Sequence, residues 1–151
     1  MLKGIDPLLD ADLLWALAAA GHGDAVALVD ANFPAEALAR DSVTGRLCRI
    51  GTPDSADALR AILSLMPVDT FVGDAAVTMD PVGAPGSIPP AVAEMRRVLD
   101  KAEGRAVAVT PVDRFAFYAA TRAAFCVVQT REERPYGCMI LRKGVLLSAP
   151  A

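Results

Sequence analysis

The chain has 151 residues, of which 54% are hydrophobic and 22% charged, with a formal net charge of −3. This length is typical of one domain spanning residues 1–151, and a chain of this size builds a hydrophobic core without disulfides or a structural metal. The acidic balance and the absence of a basic stripe exclude nucleic acid as an expected partner.

The opening segment and the cysteines indicate where the chain acts. Charged residues interrupt the first ten positions, so they lack the basic and then apolar pattern of a secretory signal. No apolar run reaches the roughly 18 residues of a membrane span. Cys48, Cys126 and Cys138 have neither the spacing of a zinc site nor that of a C-x-x-C motif. We expect a soluble cytoplasmic protein with reduced thiols and no metal.

The first half of the chain alternates helix and strand patterns. Apolar residues at helical spacing are followed by Gly21, which is typical of a helix end, and this pattern predicts a helix over 10–20. The run over 25–29 is apolar on both faces, as in a buried strand of a covered sheet. The next elements are a short helix over 33–40, a strand over 46–50, a helix from 53 to 66 and a strand over 75–79.

The second half continues the alternation after a Pro- and Gly-rich stretch over 81–90, which has the composition of a surface loop. The predicted elements are a helix from 89 to 104, a strand over 106–110 closed by Pro111, a helix over 113–122, and strands over 125–130 and 138–141. Strands that alternate with helices predict an α/β fold, a layered single domain with a largely parallel sheet flanked by helices.

His22 is the only histidine in the chain and stands between two glycines. An isolated histidine often only completes a local hydrogen bond. The flanking glycines leave the ring uncovered, however, and Asp30 follows the next strand, where ligands bind in open α/β sheets. His22 lies in a turn from helix to strand, and such a turn ordinarily lies at the amino ends of the strands, opposite to the ends where ligands bind. Pairing of His22 with Asp30 therefore needs a neighbouring subunit or an irregular chain path.

Two other segments carry candidate binding residues that also have ordinary structural explanations. Arg114 either begins a helix whose aromatic residues enter the core, or offers fixed donors to hydroxyls or a carboxylate. In Tyr136-Gly137-Cys138, the glycine leaves backbone groups accessible to a ligand. A tight turn into a strand explains that segment equally well.

Six short segments of the sequence resemble motifs of one known family. Each segment alone is a weak signal, but their order and separations together are specific for that family. They are residues 1–9, Gly21-His22-Gly23-Asp24, residues 30–34, residues 114–118, Tyr136-Gly137-Cys138 and Lys143-Gly144-Val145. This set, which spans nearly the whole chain, strongly resembles the fucose mutarotase branch of the ribose pyranase and fucose mutarotase family.

The resemblance implies an isomerase, a mutarotase that interconverts the α and β anomers of a free monosaccharide, foremost L-fucose. His22 would be the proton donor. The sugar would contact Asp30, Arg114, Tyr136, Gly137 and Cys138. No cofactor is expected, because ring opening and closure move only protons.

The resemblance also implies a homo-oligomer, a ring-like decamer or octamer with its sites at subunit contacts. We expect His22 and Asp30 to come mainly from one subunit and the Tyr136 segment or its partners from a neighbour. Ala and Val are abundant in the chain, and these small side chains suit close packing between subunits.

Three features depart from the family pattern. Cys138 stands where relatives typically have Asn, so a side-chain contact to the sugar would be lost while the backbone could still serve. Asn32 occupies a place that can be His, and the loop over 81–90 differs from that of the bacterial fucose enzymes. Two alternatives therefore stay open: a D-ribose pyranase, and a sugar-binding protein without turnover.

Overall fold

A computed structural model describes residues 2–147 of the chain, and its elements occur in the predicted order. They are α1 (Ala11–Ala19), β1 (Ala25–Val29), α2 (Ala35–Ala39), β2 (Leu47–Arg49), α3 (Ser55–Leu63), β3 (Ala76–Met79), α4 (Pro90–Glu103), β4 (Val109–Val112), α5 (Arg114–Arg122), β5 (Cys126–Gln129) and β6 (Met139–Arg142). Asp10, Asp54 and Asp113 cap α1, α3 and α5 by accepting backbone N–H groups of the first turn, which explains where these helices begin.

The six strands form one mixed sheet in the order β2-β5-β1-β6-β3-β4. Strand β1 pairs in parallel with β5, as β5 does with β2 and β3 with β4. Strand β6 lies between β1 and β3 and is antiparallel to both. Five strands therefore run in one direction, which confirms the predicted α/β fold with a largely parallel sheet.

Helices cover both faces of the sheet, because side chains along each strand alternate between the faces. Val26 and Leu28 of β1 pack with α1, α3 and α4 on one face. Ala27 and Val29 pack with α2 and α5 on the other, around the buried Phe117. No helix within residues 2–147 is long and apolar enough to cross a membrane.

One predicted boundary is wrong. The strand expected over 106–110 and closed by Pro111 is observed at Val109–Val112, with Pro111 inside it opposite Thr78. Strand β4 lies at the edge of the sheet and pairs only with β3. Proline is tolerated on an edge strand, because the N–H group that it lacks has no partner strand to reach.

Candidate active site

The predicted site residues lie at opposite ends of the parallel strands. The side of the sheet where these strands end is called the carboxyl edge, and the side where they begin is called the amino edge. Asp30 follows the carboxyl end of β1, whereas His22 precedes its amino end. The five residues of β1 alone span about 17 Å. A single chain therefore does not bring His22 and Asp30 together, in agreement with the expectation that these residues meet only across subunits or through an irregular path.

Asp30 is the centre of the cluster at the carboxyl edge. Its side chain is buried, with the residue 4% exposed. Its Oδ1 accepts the N–H of Asn32 at 3.0 Å, and its Oδ2 accepts the N–H of Gly137 at 3.1 Å. Asp30 and the Tyr136 segment therefore contact each other within one chain, whereas His22 lies at the other end of β1. The division of the site between subunits stays a prediction.

Tyr136 is held in an unusual backbone conformation next to Asp30. Its φ of 61° lies in the left-handed region, where residues other than glycine are uncommon. Its hydroxyl accepts the N–H of Val82, which belongs to the exposed loop over 81–89. A Cβ atom on Gly137 would lie 2.8 Å from Cγ of Glu132, so this position has no room for a side chain. The turn thus places the half-buried Tyr136 at the carboxyl edge, while the Gly137 backbone is bonded to Asp30 and Ser55.

Cys138 directs its side chain inward. Its thiol donates to Oδ2 of Asp30 at 3.3 Å, and its Sγ accepts the N–H of Asp30 at 3.4 Å. Burial, together with the Asp30 charge, raises the pKa of the Cys138 thiol well above its usual value, which keeps the proton in place. The thiol therefore holds the Asp30 carboxylate in place from the interior of the protein. Cys48 and Cys126 are also free and buried, as predicted for reduced thiols.

Arg114 is the first residue of α5, at the carboxyl end of β4 and so at the same sheet edge as Asp30. Its guanidinium lies 5.0 Å from the centre of the exposed Phe115 ring, and no ion pair found within residues 2–147 includes it. Tyr118, one turn later on the same helix face, packs edge-on against Phe33 at 5.3 Å. This contact ties α5 to the segment that follows Asp30.

A charged network that the sequence analysis missed supports the turn before Tyr136. The buried Glu132 carboxylate accepts the N–H of Ser55 at 3.3 Å and two hydrogen bonds from the Arg134 guanidinium. Arg134 also binds both carboxylate oxygens of Glu94 on α4. The hydrogen bonds from Arg134 lower the pKa of Glu132 to about 2, so its carboxylate stays ionised. The run of four charged residues over 131–134 was the available signal in the sequence, although it does not identify the distant partners.

The environment of His22 at the amino edge contains a second residue that the sequence analysis missed. His22 Nε2 lies 3.1 Å from Oδ2 of Asp69, and the His22 side chain is 45% exposed while that of Asp69 is 3% exposed. The exposed Phe71 ring packs edge-on against the imidazole at 5.4 Å. A half-exposed imidazole beside a buried carboxylate can exchange protons with a molecule that approaches from outside.

Comparison with known proteins identifies the class to which this fold and these two clusters belong. A model of the RbsD / FucU transport protein family matches residues 3–146. The chain belongs to this family, which confirms the resemblance found in the sequence.

Individual members are similar over almost their entire length. The fucose mutarotase of Homo sapiens is 40% identical over 153 residues, covering 99% of this chain and 97% of the relative. The L-fucose mutarotase of Glaesserella parasuis serovar 5 is 40% identical, covering 96% of each. A crystal structure of the fucose mutarotase from Streptococcus pneumoniae in complex with L-fucose has a TM-score of 0.86 and 32% identity, covering 97% of this chain and all of that one.

Proposed function

We propose that this chain is an L-fucose mutarotase, an isomerase that interconverts the α and β anomers of the free sugar. The observation that carries the proposal is the full-length similarity to the human fucose mutarotase at 40% identity. The chemistry of the two clusters agrees with it. They offer a carboxylate, the Arg114 guanidinium, aromatic rings and one imidazole, which together suit a neutral, hydroxyl-rich ligand.

Ring opening requires one proton to leave the O1 hydroxyl and one to reach the ring oxygen O5 as the C1–O5 bond breaks. The aldehyde then rotates and the ring closes on the other face, so no electrons pass to a cofactor. We assign delivery of the O5 proton to His22 and acceptance of the O1 proton to Asp30. A positioned acid or base of this kind contributes about 10²–10⁴-fold. That is sufficient for a reaction that also proceeds slowly in water.

The remaining residues would recognise the sugar. Arg114 donates to ring hydroxyls, and the ring of Tyr136 stacks on the apolar side of the sugar. Gly137 and Cys138 would act through Asp30, because the Gly137 N–H is donated to that carboxylate and the Gly137 carbonyl accepts the Ser55 hydroxyl. The Cys138 thiol is bonded to Asp30 and takes no direct part in sugar binding.

Because His22 and Asp30 lie at opposite edges, we propose that a site forms where the amino edge of one chain meets the carboxyl edge of the next. Exposed apolar side chains lie at both edges. They are Leu65, Phe71, Val72, Leu146 and Leu147 at the amino edge, and Val82, Ile88 and Phe115 at the carboxyl edge. Large exposed apolar patches typically mark interfaces. A contact between two different surfaces repeats around a ring when the rotation closes. We predict that the assembly is a ring-like decamer or octamer and that the protein is cytoplasmic.

Exchange NMR on sugar at anomeric equilibrium tests the proposal. Saturation of the α-fucose H1 signal should transfer to β-fucose in the presence of the protein, and more weakly in its absence. Exchange of D-ribose between pyranose and furanose forms, without fucose exchange, would identify the alternative pyranase. Binding of fucose that broadens its signals without exchange would identify a sugar-binding protein without turnover.

A further inference from the structure

A small pocket of about 130 Å³ lies beneath the loop over 81–89, between the end of β3 and the start of α4. Thr78 and Pro111, which are opposite each other on β3 and β4, form its floor. Helix α4 contributes Val92 and Arg96. The predicted sugar-binding residues, all of which the structure describes, lie outside this lining. The pocket is therefore distinct from the two clusters described above.

The pocket lies on the face of the sheet that α4 covers. Side chains two positions apart on a strand share a face. Ala76 packs in the core with α3 and α4, whereas Met79 packs with α2 and α5 on the other face. Thr78 therefore faces α4, and Asp80 lines the same pocket. Arg114 begins α5, which covers the opposite face.

Thr78 contributes a hydroxyl that the fold itself does not use. The residue is only 5% exposed, yet its hydroxyl forms no hydrogen bond within residues 2–147. The buried hydroxyls of Thr121 and Thr130 differ, because each donates to a backbone carbonyl. Every fully enclosed side-chain oxygen or nitrogen in the same range has a partner, so the Thr78 oxygen must be open to the pocket. A polar group in such a place indicates a bound molecule.

Helix α4 begins at this pocket without a side-chain cap, unlike α1, α3 and α5. The N–H groups of Ala91 and Val92, both buried residues, have no hydrogen-bond partner in the part of the chain that the structure describes. Buried N–H groups are rarely left unpaired. The first turn of a helix of 14 residues also carries a partial positive charge, which attracts anions.

Two charged side chains complete the lining. The guanidinium of the half-buried Arg96 donates to the Val109 carbonyl at 3.5 Å and has further N–H groups to offer. Oδ1 of Asp80 accepts the Gly86 N–H at 3.1 Å, while its Oδ2 accepts no hydrogen bond within residues 2–147. Asp80 would repel an anion without a proton. An anion that retains a proton would instead donate it to this carboxylate.

We propose that this pocket binds inorganic phosphate. The Thr78 hydroxyl, the first N–H groups of α4 and the Arg96 guanidinium donate to the phosphate oxygens. The Asp80 carboxylate accepts the proton that phosphate retains near neutral pH. Sulfate has the same shape but no proton at this pH, so Asp80 excludes it. Bound phosphate joins the loop over 81–89 to β3 and α4, and this role does not depend on the proposed mutarotase function.

Calorimetric titration of the wild-type protein with phosphate, in a chloride buffer of constant ionic strength, should show saturable binding. Sulfate should bind at least about tenfold more weakly, since one hydrogen bond to a charged group is replaced by repulsion. Thr78→Val removes the hydroxyl at nearly constant volume and should weaken phosphate binding about tenfold. Thr110→Val is the matched control, because Thr110 is an exposed threonine on the neighbouring strand β4.

Asp80→Asn tests the role of the proton. Asparagine retains an oxygen for the Gly86 N–H and presents an NH₂ group, which donates to any oxyanion. The preference for phosphate over sulfate should therefore disappear in this variant. Arg96→Gln should weaken phosphate binding more than Arg97→Gln, which removes the same charge from an exposed position on the same helix.

The outcomes bear on the pocket alone, because no titration contains a sugar. Absence of saturable phosphate binding to the wild type would overturn the proposal, as would equal affinities for phosphate and sulfate. Equal losses in Thr78→Val and Thr110→Val, or in Arg96→Gln and Arg97→Gln, would mean that phosphate binds elsewhere through general surface charge. Circular dichroism of each variant verifies that the fold is retained.

Discussion

The backbone N–H of Gly137 donates to the Asp30 carboxylate at 3.1 Å, which joins the turn before β6 to the end of β1 across 107 positions of the chain. The turn can approach Asp30 this closely because residue 137 has no side chain. A Cβ would meet Cγ of Glu132 at 2.8 Å and the Cβ of Ala91 at 3.4 Å. The candidate sugar site at the carboxyl edge therefore depends on glycine at this position.

Gly137→Ala should displace the turn, raise KM for fucose and destabilise the fold by about 1–3 kcal/mol, the usual cost of forcing extra atoms into a packed site. Exchange kinetics and denaturant unfolding measure the two effects. Gly51→Ala is the control, since a Cβ there meets nothing within 4 Å and the backbone needs no left-handed angle. Equal behaviour of the two variants would show that the turn tolerates a side chain.

His22→Ala or His22→Phe should abolish enzyme-dependent anomer exchange, a loss of about 10²–10⁴-fold. The fold should survive, because the His22 side chain is 45% exposed and contributes little to the core. Exchange NMR gives the rate, and circular dichroism verifies the fold. A fully active His22→Ala protein would remove His22 from the mechanism.

Arg114→Lys should weaken fucose binding more than Arg97→Lys, which replaces an exposed arginine in the middle of α4. The planar guanidinium offers several donors in a fixed geometry, and a lysine ammonium cannot reproduce it. Titration with fucose, monitored by calorimetry, compares the dissociation constants. Small and equal effects in both variants would mean that Arg114 serves only as the first residue of α5.

Glu132 should make the fold sensitive to acid. Its pKa is lowered from 4.5 to about 2 in the folded state, principally by the hydrogen bonds from Arg134. Between these values the unfolded chain binds more protons than the folded one, so the free energy of unfolding falls as the pH drops from 4.5 towards 2. Glu132→Gln should flatten this dependence relative to wild type, as measured by urea unfolding at several pH values.

The exposed neighbour offers a control for that measurement. Glu133→Gln removes a carboxylate that is accessible to solvent, and it should leave the acid dependence close to that of the wild type. If Glu132→Gln and wild type lose stability in parallel on acidification, the network around Glu132 does not govern the response.

A site shared between chains predicts complementation. His22→Ala and Asp30→Asn proteins should each be inactive, but subunits mixed after reversible dissociation should regain about a quarter of the wild-type activity. This fraction follows because each residue is intact in half of the chains, and random assembly brings two intact residues together at one site in four. Light scattering on the same samples measures the particle size. A fully active 15.8 kDa monomer, or mixtures without activity, would refute the shared site.

The helices and strands, their order and the family are all predictable from local patterns in the sequence. Helix periodicity, capping aspartates such as Asp10 and apolar runs such as 25–29 act over a few residues, so the signals are readable locally. The motifs that carry the resemblance are equally local. Even the opposite placement of His22 and Asp30 follows from the direction of β1 alone.

Contacts between residues far apart in the chain become visible only in the folded structure. Strand β6 runs antiparallel between β1 and β3, and this insertion brings Asp69 to His22 at one edge and Gly137 to Asp30 at the other. The edge position of β4 likewise permits Pro111 within a strand. Such pairings depend on the summed energies of contacts between segments far apart in the chain, and no local pattern of residues encodes them.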